Sequence, residues 1–202
     1  MKKILLFMLA VSLGFAAVSC KDRGQVDTKN APEFDFRKIK WGMNRAEVME
    51  TEVAKPSGEK ADIVTYRDEF DGIPVIVGYL FDGDIVTRAG YLMLGSYDDP
   101  NKYIEDYEKI KISMIEKYGA PARDEMRWSE GQESQDPTQY GKAACDGKLV
   151  YVTIWSDGIT MIKETLRGEE GKCRHYLKFE SIDLYLNKTV QQDTVAVPSP
   201  GP

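Results

Sequence analysis

Three of the four aspartate-glycine dipeptides, Asp71-Gly72, Asp82-Gly83 and Asp157-Gly158, sit between runs rich in β-branched and aromatic residues, and they constrain this chain more than any other feature. Glycine adopts a left-handed backbone at no steric cost, so Asp-Gly between such runs predicts tight hairpins. Strands joined this way pair antiparallel. The alternation predicts strands over Ile63 to Phe70, Ile73 to Phe81, Ile85 to Leu94, Asp124 to Trp128, Leu149 to Trp155, Ile159 to Arg167 and Arg174 to Leu184.

Two helices carry their own signals. Asn44 can cap a first helix and Glu47, three residues on, can reach back to it, with Met43 and Val48 as flanking apolar residues; this helix should fray near Val53. A second helix opens at Asp99-Pro100 and stops at Tyr118-Gly119, with Pro121 beyond. Its Tyr103, Tyr107, Ile110, Met114 and Tyr118 recur every three or four residues, one helical face that should cover a sheet. The expected fold is α+β: antiparallel sheet with two main helices packed on one face. A helix followed by strands occurs twice, with Pro56 and Pro121 each after a helix, which suggests two tandem helix-plus-meander units within a domain over 33–188, divided as 33–94 and 95–188.

The ends of the chain read differently. Lys2 and Lys3 precede an apolar run from Ile4 to Val18 that closes in Ala17-Val18-Ser19-Cys20. The run is too short to span a bilayer and has the layout of a secretory signal peptide, residues 1–19, removed to leave Cys20 as the new terminus. A cysteine there points to a bacterial lipoprotein, whose several acyl chains would hold the protein on its membrane; Ala17 and Ser19 also satisfy ordinary signal cleavage, so a plain secreted protein is the alternative. Residues 20–32 are polar and suit a tether. Residues 189–202 contain prolines and no apolar pattern, and are expected to be a disordered tail.

Without Lys2 and Lys3 the balance is 25 basic against 33 acidic residues. An acidic chain without basic runs is a poor nucleic-acid binder, because that binding rests on Lys and Arg neutralising phosphates. With Cys20 acylated, Cys145 and Cys173 remain as a pair, either bridged in an oxidising compartment or held as two buried thiols.

The string Gly42-Met43-Asn44-Arg45-Ala46-Glu47-Val48, ending at Lys55-Pro56, resembles the helix start of small bacterial envelope lipoproteins of the SmpA/OmlA type and of β-lactamase-inhibitor-like domains. Tyr118-Gly119-Ala120-Pro121 resembles the matching helix end. The two stretches cover about a tenth of the chain, and the first lacks the family's glycine before its proline. The resemblance implies an envelope protein that binds other proteins through a curved sheet, with no catalytic residues to carry over.

The residues offer little chemistry. His175, the one histidine, falls on a strand face with Leu177 and Phe179, where a packed residue is the simpler expectation, and no nucleophile elbow accompanies it. Asp68-Glu69-Phe70-Asp71 and Asp82-Gly83-Asp84 lack the spaced ligands of a calcium loop. No phosphate loop or zinc spacing occurs, so neither a cofactor nor a metal is expected. Ser129 to Ala144 is polar and glycine-bearing, a long segment expected to be structureless and either functional or disordered.

A surface is the better candidate. If Ser156-Asp157-Gly158 is a three-residue hairpin, Trp155 faces Ile159, Thr153 faces Met161 and Tyr151 faces Lys163, with Tyr176 and Lys178 extending that face. Val150, Val152, Ile154, Ile162 and Leu166 then form the opposite, core face. A slip of one residue would exchange the two. The first face has the aromatic and cationic character of an interaction surface, although it could equally pack against the other unit or stand in solvent. The expected role is a non-enzymatic, membrane-anchored envelope lipoprotein, periplasmic or surface-exposed, that binds a protein partner; the alternative is a small-ligand carrier or sensor.

Overall fold

The computed structural model describes residues 33–186 and Lys188. The expected signal peptide, Cys20, the tether and the tail lie outside the described residues. The fold is α+β, dominated by one eight-stranded antiparallel sheet. After helix α1 (Arg45–Thr51) come β1 (Gly58–Lys60), β2 (Ile63–Phe70), β3 (Ile73–Asp82) and β4 (Ile85–Met93). Helix α2 (Asn101–Tyr118), β5 (Arg123–Trp128), helix α3 (Tyr140–Cys145), β6 (Leu149–Ser156), β7 (Thr160–Glu169) and β8 (Lys172–Ser181) follow. The spatial order is β1-β2-β3-β4-β8-β7-β6-β5. Two meanders therefore meet at their last strands, β4 against β8, and form one sheet.

Local chemistry sets the helix ends. Asn44 accepts a hydrogen bond from the Glu47 amide at 3.0 Å while the Glu47 carboxylate accepts from the Asn44 amide at 2.7 Å, a complete capping box. Asp99 Oδ1 accepts from the Asn101 amide at 2.9 Å, so the expected start of α2 holds with Pro100 one position further out than predicted. Gly119, at φ 78°, closes α2. The short strand β1 was not legible in the sequence; its three residues are all exposed and carry no apolar alternation.

Register decides which side chains share a face. Val64, Val77, Tyr91, Leu177, Ile162 and Trp155 lie on one side of the sheet and are all buried. Tyr107, Ile110 and Met114 of α2 are buried with this side, Val48 of α1 joins the same cluster, and the Trp155 indole donates to the Gly119 carbonyl at 3.1 Å. Gly90 makes the central junction possible. A Cβ on it would lie 2.5 Å from the Leu177 carbonyl oxygen, so only glycine lets β4 approach β8 here.

The expected assignment of faces on β6 is corrected. Tyr151, Thr153 and Trp155 are buried in the core, opposite Leu166, Glu164 and Ile162, whereas Val150, Val152 and Ile154 are on the other side. The cause is the turn. Ser156 pairs with Met161, so four residues rather than three make the connection, and Asp157 Oδ1 holds it by accepting from the amides of Ile159 (2.9 Å) and Thr160 (2.7 Å). The change in register is odd, so β6 and β7 meet with a different set of side chains inward.

The segment 129–144 is also corrected. It is not structureless: Pro137–Gln139 form a single 3-10 turn and α3 follows directly. Gly141 is buried against the backbone of Pro100 and Asn101, and a Cβ there would collide with the Pro100 carbonyl. Asn101 binds this segment on both sides, accepting from the Gly141 amide at 3.0 Å and donating to the Thr138 carbonyl at 3.0 Å. Cys145 at the end of α3 stands at disulfide distance from Cys173 of β8, with Cα atoms 4.3 Å apart and a sequence separation of 28. A bridge closing that loop restricts the unfolded chain, and removing it with Cys145→Ser/Cys173→Ser should cost roughly 3 to 4 kcal/mol in urea unfolding under oxidising conditions. The same loss should follow reduction of the wild type, and the double variant should not respond to reductant.

Candidate functional site

Opposite the core, the sheet presents a second face. On its β2 to β4 side this face is aliphatic: Ile63, Ile76, Leu80 and Leu92 border a trough of about 310 Å³ whose floor is Gly78 directly opposite Gly90. Two facing glycines remove the side chains that would fill the trough. A Cβ at Gly78 would meet Ile63 Cδ1 at 3.8 Å and Leu80 Cδ1 at 4.0 Å, ordinary contact distances, so the trough has room there. On the β7 and β8 side the face becomes cationic. Lys163 stands directly opposite Lys178 and Arg167 directly opposite Arg174, with Thr165 opposite Tyr176 between the two pairs.

Of the residues proposed from sequence for a binding surface, Met161, Lys163 and Tyr176 are on this open face, while Tyr151, Thr153 and Trp155 are in the core. The structure thus divides the expected cluster. Tyr176 is oriented by a 2.6 Å hydrogen bond to Glu169, and burial followed by that carboxylate raises its phenol above the usual range. The glycines at 78 and 90 were the missed signal. Glycine within a strand interior marks a bulge or a close approach, and two on adjacent strands mark a groove.

Thr153 has a different task. Its hydroxyl is 2.5 Å from the Tyr107 hydroxyl of α2 and donates to Asp124 Oδ1 at 2.9 Å, and Lys111 of α2 reaches Asp124 at 3.2 Å. This chain of polar groups clamps α2 across β5 and β6.

Beside it lies a buried acid and imidazole. His175 shares the covered face with Leu177 and Phe179, is 2 % exposed, and holds its Nε2 2.8 Å from Oε1 of the fully buried Glu164. Burial lifts the Glu164 carboxyl well above its usual range, with Lys111 opposing and Glu108 and Asp124 adding to the rise. Burial also pushes His175 down to about 3. Both directions favour the neutral pair, a protonated carboxyl donating to a neutral ring. The imidazole packs against the Tyr107 ring, with centroids 5.6 Å apart, and both members of the pair are closed off from solvent.

A second recess, about 530 Å³, lies between the end of α1 and β2. Of the cations that line it, Arg37 is matched by Glu52 at 3.1 Å and Asp68 at 2.6 Å, and Glu52 also accepts from the Tyr79 hydroxyl. Those contacts hold the segment before α1 onto the sheet. No protein-family model, curated protein or solved structure matches this chain.

Two outcomes follow. Lys163→Glu replaces a directly opposed like-charge pair with an attractive one, so it should raise unfolding stability by about 0.2 to 1 kcal/mol in a urea titration. Glu164, with its pKa raised, contributes stability that is fully present below about pH 4.3 and lost as pH rises through its elevated value. His175, with its pKa depressed, contributes stability present above pH 6.5 and lost as pH falls toward about 3. Above pH 6.5 the His175 contribution is complete, so stability should fall as rising pH ionises the buried Glu164, by up to about 1.4 kcal/mol per unit. Glu164→Gln should flatten that slope in urea unfolding measured across the same range.

Proposed function

We propose that this chain is a non-enzymatic binding module of the bacterial envelope, tethered to a membrane by lipid on Cys20, which docks a protein partner on its open sheet face. The observation that carries the docking half is the open face itself: an aliphatic trough bordered by Tyr176 and Lys178, continuing into the cation pairs of β7 and β8, opposite a face devoted to the core. In this reading α1 and α2 both cover one side and leave the other for binding. Aromatic and aliphatic anchors beside polar groups are the composition of interface centres. The anchoring half rests on Lys2, Lys3, the apolar run and Cys20.

A small-ligand carrier remains the second reading, favoured by the size of the trough, which sits at the lower end of small-molecule sites. The trough is open along the sheet, which suits a protruding partner side chain better than an enclosed ligand.

Photo-crosslinkers placed at Leu92 on the open face and at Ile112 on the exposed side of α2 separate these readings in the native, anchored protein. Adducts to a discrete protein from position 92 and not from 112 are expected. Gly78→Leu, whose Cβ would meet only ordinary contacts and whose side chain would occupy the trough, should abolish those adducts while thermal unfolding stays cooperative. Equal labelling from both positions, or adducts indifferent to Gly78→Leu, would overturn the docking face. Metabolic acyl labelling lost in Cys20→Ala is the expected result for the anchor, and unlabelled wild type would overturn it.

A further inference from the structure

We infer that the partner of this face is an acidic protein surface that sets its carboxylates over two cation pairs on either side of Tyr176. The inference rests on the docking face proposed above and names what that face recognises.

The observation is an unfavourable arrangement kept in the middle of the sheet. Like charges directly opposite on adjacent antiparallel strands destabilise a sheet, and here it happens twice, at Lys163 with Lys178 and at Arg167 with Arg174. Lys163, Lys178 and Arg174 make no ion pair or side-chain hydrogen bond among the described residues. Arg167 reaches Glu169 at 3.0 Å, but Glu169 is also engaged by Tyr176. Arg88, across from Glu180, stacks instead on the Tyr185 ring at 4.2 Å. The chain as a whole carries a net charge of −6, so a cationic patch runs against its composition.

Spacing defines the complement. Lys163 and Arg167 are four residues apart on one strand, roughly 13 Å, and Tyr176 with Thr165 lies midway. A partner matching this row presents two carboxylate positions at that separation with an apolar group over the tyrosine. Its neighbouring aliphatic side chain would enter the trough at Gly78 and Gly90. A recessed, partly aliphatic site of this form fits the relief of a protein better than the plane of a lipid surface. Complementary charge of this kind sets partner choice and encounter rate, and weakens with salt.

The test uses the full, anchored chain with a photo-crosslinker at Thr165. Mass spectrometry should map adducts to a protein segment rich in Asp and Glu, and 0.5 M salt should cut the yield at least tenfold. Lys163→Glu/Lys178→Glu should do the same. That double reversal keeps a like-charge pair, so its thermal unfolding should match wild type, and the salt response of the wild type stands as an independent readout should it misfold. Lipid adducts, a neutral or basic contact segment, or yields unmoved by both salt and charge reversal would overturn the inference. If charge reversal and salt have no effect while Gly78→Leu still abolishes binding, the acidic partner fails and the docking face stands; if all three have no effect, both fail.

Discussion

The structure depends on the pairing of β4 with β8. Each meander alone would leave a sheet edge with unpaired amides and carbonyls, and joining them at their last strands makes one continuous ladder through the middle of the molecule. Gly90 permits that junction by letting the Leu177 carbonyl approach where a side chain would stand. Because the two halves share a sheet, they also share a core: Phe36 packs on Tyr79, Tyr91 and Phe179, residues of both meanders. The same glycine, facing Gly78, hollows the opposite face.

Burial and polarity are balanced differently on the two faces. The covered face holds polar groups that are engaged, as with Tyr107, Thr153 and Asp124, or neutralised, as with Glu164 and His175, beside the unpartnered hydroxyls of Tyr66 and Thr87. A buried charge without a partner would be costly, and the opposing shifts of that acid and imidazole are how the core avoids one. The open face tolerates directly opposed cations because water screens them. A residual cost persists there, which the carboxylates of the proposed partner would relieve.

Much of the architecture was legible in sequence. The Asp-Gly turns and β-rich runs located seven strands to within a few residues, and Asn44 with Glu47 and Tyr118-Gly119 located helix ends, because capping and positive φ are local demands. The weakest reading concerned which side of β6 faces inward. Tyr151, Thr153 and Trp155 are no more apolar as a set than Val150, Val152 and Ile154, so composition could not choose between them. Pro137 to Cys145 was missed as ordered structure because a short helix is stabilised mostly by tertiary packing, here around Gly141 and Cys145.

By itself the sequence determined the antiparallel turns, the ends of the two main helices and the acidic balance, since turns and caps are written in adjacent residues and charge in composition. Only the tertiary structure decided register, and with it the core place of Trp155 and the opposition of Lys163 to Lys178. The physical reason lies in one side chain. Asp157, by gathering two amides, lengthened a turn by one residue, and the alternation of a β-strand carried that single step across a whole face.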